Sequence, residues 1–111
     1  MTEDTIEQGK PLAIVSYLTV IGAIVAYFLN KDKGDNSFIN FHVRQSLGIW
    51  LSFHALAIVI STLDYSLIRL AFYFCFGVLL IFGFINAVAG NAQEVPVVGK
   101  LFQKFFSNLG L

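Results

Sequence analysis

The chain has 111 residues, of which 57% are hydrophobic and only 13% charged, with 12 phenylalanines and a mean hydropathy of +0.75. Soluble domains hold about 45–50% apolar and about 25% charged residues, and a chain of one-domain length cannot fold so much apolar surface away from water. Seven basic residues balance seven acidic ones, so no basic field attracts nucleic acid; an ordinary soluble enzyme, a disordered tail and a nucleic-acid binder are excluded, and a membrane protein is indicated.

In chain order, Glu3, Asp4 and Glu7 make the first residues acidic, whereas a signal peptide starts positive; the first apolar run is therefore expected to be retained. Lys10 and Pro11 are expected to open a helix, because proline is tolerated in a first turn. Residues 12–29 then carry no charge, and Asn30 with the polar stretch 31–36 closes the run. Residues 47–63 contain no Asp, Glu, Lys or Arg, and 70–89 are again uncharged. A hydrocarbon core about 30 Å thick takes ~20 helical residues. The expected fold is therefore all-α: an integral membrane protein with three transmembrane helices at 12–29, 47–63 and 70–89. The short link Asp64-Tyr65-Ser66 makes the last two an antiparallel hairpin. In the tail, 97–109, the residues Val98, Leu101, Phe102, Phe105, Phe106 and Leu109 form one helical stripe. Lys100, Gln103, Lys104, Ser107 and Asn108 take the other face. Such a helix suits the membrane interface, with Phe102, Phe105, Phe106, Lys100 and Lys104 as its anchors.

Three spans put the N-terminus and the second loop on one side, with Lys10 and Arg69. The first loop and the tail share the other side, with Lys31, Lys33, Arg44, Lys100 and Lys104. Basic residues favour the cytoplasm, so the expectation is an inner-membrane protein with its N-terminus outside and its C-terminus inside. Tyr27 and Trp50 then mark the cytoplasmic interface, and Tyr65 and Tyr73 the outer one.

Chemistry-bearing residues are few. His54 lies near the middle of the second run, where an ionisable side chain is a functional candidate by default. No acidic partner lies in any run, and hydrogen bonds across helices to Ser16 or Thr19 are the alternative. His42, Arg44 and Gln45 precede the second run, and the three-span topology brings Asn30 and Asn86 to their level. The five could form a polar cluster that binds a substrate segment or lipid head group, or simply an interfacial helix start with side chains reaching water. His42 and His54 are twelve positions apart on one helix, about 18 Å, and share no metal. Cys75 is the lone cysteine and makes neither a disulfide nor a metal motif. No catalytic set or cofactor motif is visible. Small residues four apart, Gly22 and Ala26, Gly48 and Ser52, Gly83 and Ala87, permit close helix contacts within a bundle or a homo-oligomer.

Four segments carry a family resemblance: Gly9-Lys10-Pro11-Leu12-Ala13-Ile14-Val15-Ser16-Tyr17, Asn30-Lys31-Asp32-Lys33, Phe41-His42-Val43-Arg44-Gln45-Ser46-Leu47 and Pro96-Val97-Val98-Gly99-Lys100-Leu101-Phe102. Together they resemble a bacterial family of small integral membrane proteins of unknown function, itself similar to the chloroplast inner-envelope import component, a channel-forming subunit of the Tic translocon. The resemblance implies an α-helical inner-membrane protein with no established enzyme activity, and none is expected. Two functions follow as expectations: a subunit of a channel or protein-translocation assembly, or a non-transporting scaffold or assembly factor acting through the first loop and the tail. The partners expected are the lipid bilayer and either a second copy or another membrane protein.

Overall fold

The computed structural model describes residues 1–108, which form five helices: α1 (Glu3–Ser16), α2 (Val20–Lys33), α3 (Ser37–Ile60), α4 (Ser66–Ala89) and α5 (Gly99–Asn108). Among the described residues there is no strand. Leu109, the last residue of the expected tail stripe, lies outside the described residues.

The first apolar run is not one span. It breaks at Tyr17 and Leu18, whose N–H groups turn back to the Ile14 and Val15 carbonyls. Ser16 Oγ donates to the Ala13 carbonyl, and Thr19 Oγ1 accepts from the Gly22 N–H, capping a new helix. Hydroxyl side chains that bond nearby backbone offer the chain an exit from the helix, and Ser16 and Thr19 on either side of the break each make one such bond. Pro11 does not open α1 either. The helix starts at Glu3 behind the Thr2 cap and contains Pro11 in its interior, where the missing N–H leaves the carbonyl of exposed Glu7 to water.

α1 and α2 fold back on each other as a helical hairpin. The Thr5 carbonyl at the start of α1 accepts from Asn36 Nδ2 at 2.8 Å, beyond the end of α2. The N-terminus therefore lies beside the first loop, not across the bundle from it. Gly34, in the left-handed region with φ 119°, ends α2. Asn36 starts α3 by accepting from the Phe38 and Ile39 N–H groups, so α3 begins ten residues before the second apolar run.

Among the described residues, α3 and α4 are the two helices long and apolar enough to cross a membrane. At about 1.5 Å per residue, 24 residues each give about 36 Å, enough for a tilted crossing. The core surrounds the first half of α3, where Phe38, Ile39, Val43, Leu47 and Ile49 meet Ala13, Tyr17, Ala23, Ala26, Ala87, Val95, Phe102 and Phe106. Past Ile49, α3 and α4 hold each other through Phe53, Phe72 and Phe76 and present Leu56, Ile58, Leu67, Leu70 and Phe74 outward. Trp50 is thus fourteenth in a 24-residue helix, near its middle.

Candidate functional site: a closed polar chain against α3

His42 and Gln45 sit three apart on α3, so they share a helix face, and both are fully buried. Tyr17, at the break that ends α1, reaches this face from one side. The non-helical segment 91–95 passes it on the other. The His42 Nε2 atom lies 3.0 Å from the Asn91 carbonyl. A carbonyl only accepts, so Nε2 carries the proton and Nδ1 is the acceptor. Tyr17 Oη, 2.6 Å from Nδ1, must then donate to it. That leaves the phenol oxygen free to accept, and Gln45 Nε2 donates to it at 2.9 Å. Gln45 Oε1 in turn accepts from the Val95 N–H at 2.8 Å. The directions of these bonds are mutually consistent, and Gln45 Nε2 keeps a second, longer contact to the Gln93 carbonyl at 3.5 Å. The rings of Tyr17, Phe38 and Phe41 stand edge-on around the imidazole, with centroids 4.6 to 5.4 Å away.

The Tyr17 ring fits because position 83 is glycine: a Cβ there would overlap the ring. Gly48 does the same for Phe102, whose ring occupies the space of the missing side chain. Gln103 Nε2 also donates to the Phe41 carbonyl at 2.8 Å, fixing α5 across α3. The small residues at 48 and 83 thus serve contacts within the chain.

A second network builds the turn between α2 and α3. Asn30, buried, accepts from the Asn36 N–H at 2.7 Å and donates to Asn40 Oδ1 at 2.8 Å. Asn40 donates to Asp35, which Lys31 also meets at 2.8 Å. The Lys31 ammonium, and after it the Asn40 amide, hold the exposed Asp35 carboxyl below its usual range. A cleft of about 670 Å³ opens beside this turn, between Gln8, Leu12, Lys33 and Ser37. Asp35 and Asn36 in its wall are committed to these bonds.

The five residues expected to cluster therefore separate. His42 and Gln45 belong to the closed chain, and Asn30 belongs to the turn. Asn86 donates to the Phe82 carbonyl of its own helix. Arg44 is half-buried on α3. His54 bonds neither of its expected partners, whose hydroxyls are spent on Ala13 and Gly22. It is exposed, stacked on Trp50 at 6.3 Å and edge-on to Phe53. Of the tail anchors, Phe102 and Phe106 are buried, while Phe105, Lys100 and Lys104 point outward. No group of three or more His, Cys, Asp or Glu that could hold a metal occurs among the described residues.

The sequence reading missed Tyr17 and the segment 91–95. The available signal was a phenol in the middle of an apolar run, since a buried tyrosine hydroxyl needs a partner.

The pattern of the magnetosome magnetite crystal formation protein family matches residues 10–102. The chain belongs to that family. It is accordingly a small bacterial membrane protein of a magnetosome family, and the match spans the closed chain, the asparagine turn and the docking residue Phe102. No curated protein and no solved structure matches it. These comparisons give no support to the likeness with a plastid import component.

Proposed function

We propose that the chain supports magnetite crystal formation as a non-catalytic membrane scaffold, holding an ordered polar cap at one end of a two-helix membrane stem. The observation that carries this reading is the closed hydrogen-bond chain from Asn91 through His42, Tyr17 and Gln45 to Val95. A passage for ions or polypeptide needs polar groups turned toward a lumen; here both imidazole nitrogens and the phenol are consumed in joining segments of the same chain. The same commitment withdraws His42 from proton transfer, since a general base needs a free acceptor within reach of its substrate. The exposed face of the cap, with Lys100, Lys104 and the acidic start of α1, offers contacts to partners, and the stem offers lipid its apolar surface.

The test is removal of the chain from a magnetosome-forming bacterium, with crystal length measured by electron microscopy. The scaffold reading expects altered crystals, restored by the wild-type chain and not by a variant whose closed chain is broken. Purified protein in planar bilayers is expected to pass no current above the bare membrane. A reproducible conductance would overturn the scaffold and return the channel reading. Crystals of unchanged size and shape would overturn the role in their formation.

A further inference from the structure

The positions of the chain ends bear on topology. α1 and α2 have 14 residues each, about 21 Å of helix, short of the ~30 Å hydrocarbon core. Yet α2 leaves Ile21, Ile24, Val25 and Phe28 exposed. An apolar face of that extent belongs in hydrocarbon or against a partner, not in water. The two helices meet at 17–19 and return to a common level, where Thr5 bonds Asn36 and Gly9 lies beneath Asn36, Phe38 and Ile39. The end of α4 is at this level as well, because Gly90 faces Ile6 and Lys10. A helix pair that enters and leaves by one face does not carry the chain across. The crossings that remain are α3 and α4.

Charge agrees with this division. Lys10, Lys31, Lys33, Arg44, Lys100 and Lys104 lie at or near the end that holds the termini, and Arg69 alone lies by the opposite turn. Folding the N-terminus over moves Lys10 to join the other five, so the basic bias becomes steeper than three spans would give. Short loops rich in Lys and Arg stay in the cytoplasm.

We propose that the chain crosses the membrane twice, with α1 and α2 as a re-entrant hairpin, both termini and the 34–36 turn in the cytoplasm, and only the 61–65 turn with Arg69 on the far side. A partner on the far side meets Ser61, Thr62, Asp64 and Tyr65, all exposed, and little else of the chain.

Cysteine accessibility tests this. In a Cys75→Ser background, which removes the only native thiol, the single variants Glu3→Cys, Lys33→Cys, Asp64→Cys and Ser107→Cys are expressed in a bacterial host. Each is treated with a membrane-impermeant maleimide before and after permeabilisation. Asp64→Cys is expected to label in intact cells, and the other three only after permeabilisation. Glu3→Cys labelling in intact cells while Lys33→Cys does not would restore three spans and overturn the hairpin. Labelling of Glu3→Cys, Lys33→Cys and Ser107→Cys together in intact cells, with Asp64→Cys protected, would overturn the orientation. All four sites lie on exposed residues, and recovery of each variant in the membrane fraction confirms that it inserts. The result does not depend on any role in crystal formation.

Discussion

Tyr17→Phe removes one oxygen and leaves the ring that fills the space at Gly83. The hydroxyl serves two bonds at once, donating to His42 Nδ1 and accepting from Gln45 Nε2. Its loss orphans one buried acceptor and one buried donor. Each unsatisfied buried group costs about 1–3 kcal/mol. Gln45 Nε2 keeps a long contact to the Gln93 carbonyl at 3.5 Å, which recovers little of its share. The expected loss is roughly 2–4 kcal/mol, or about 30- to 700-fold in the folding equilibrium. Moving the imidazole proton to Nδ1 gives no escape, because Nε2 would then turn a lone pair toward the Asn91 carbonyl. Detergent-solubilised protein titrated with sodium dodecyl sulfate, followed through the single tryptophan Trp50, gives the difference in unfolding free energy. Tyr27→Phe is the control: this ring is half-buried, with the Lys31 ammonium 5.6 Å from its centroid. A Tyr17→Phe loss within about 0.5 kcal/mol, the ordinary range for surface changes, would refute the closed chain as a stabilising element.

Three further outcomes are expected. Gly48→Ala puts a methyl group into the Phe102 ring and is expected to lift α5 from α3, so that trypsin cleaves faster at Lys100 and Lys104; adding Phe102→Leu, a smaller apolar side chain, is expected to relieve the overlap and slow the cleavage again. Phe102→Asp is expected to release α5 to trypsin in the same assay, while Phe105→Asp leaves it docked, because Phe102 is buried and Phe105 is 54% exposed. The Asp35 carboxyl is held below its unfolded value by Lys31 and Asn40, so its contribution is present at neutral pH, persists above the unfolded carboxylate value of about 3.9 and is lost as pH falls through the lower folded value. Asp35→Asn is expected to abolish that acid-side step in the hydrogen exchange of the 34–40 turn, and an unchanged step would assign it to another carboxylate.

Helix type, the α3–α4 hairpin and the tail helix were all legible in the sequence, because long uncharged runs and a stripe at helical spacing depend on nearby residues alone. The break at 17–19 was not. Hydropathy averages over Ser16, Tyr17 and Thr19, whereas what ends α1 is where their hydroxyls go: Ser16 to its own helix, Thr19 to the next, Tyr17 to His42. A continuous helix over 12–29 would hold the N-terminus far from Asn36, whereas the break folds α1 back so that the Thr5 carbonyl accepts from it. His42 and Gln45 were visible as an unusual polar pair, but their partners lie 25 to 50 positions away. Those partners include the backbone of 91–95, which carries no side-chain signature. His54 drew attention through residue type and depth, and its surroundings proved to be rings.

The polar chain also explains which helices are held. Between apolar helices in lipid there is little hydrophobic preference for a protein neighbour over an acyl chain, so association rests on close packing and hydrogen bonds. The burial pattern follows the bonds. The first half of α3 bears His42 and Gln45 and is enclosed by α1, α2, 91–95 and α5. α4 turns its one amide, Asn86, back on its own helix and is the less buried of the two long helices. Gln103 ties the tail to the Phe41 carbonyl, and Phe102 set into the Gly48 gap adds close packing. On this view the cap is specified by few polar groups whose donors and acceptors match one way only. The distal stem, lacking them, is specified by aromatic packing and by the lipid around it.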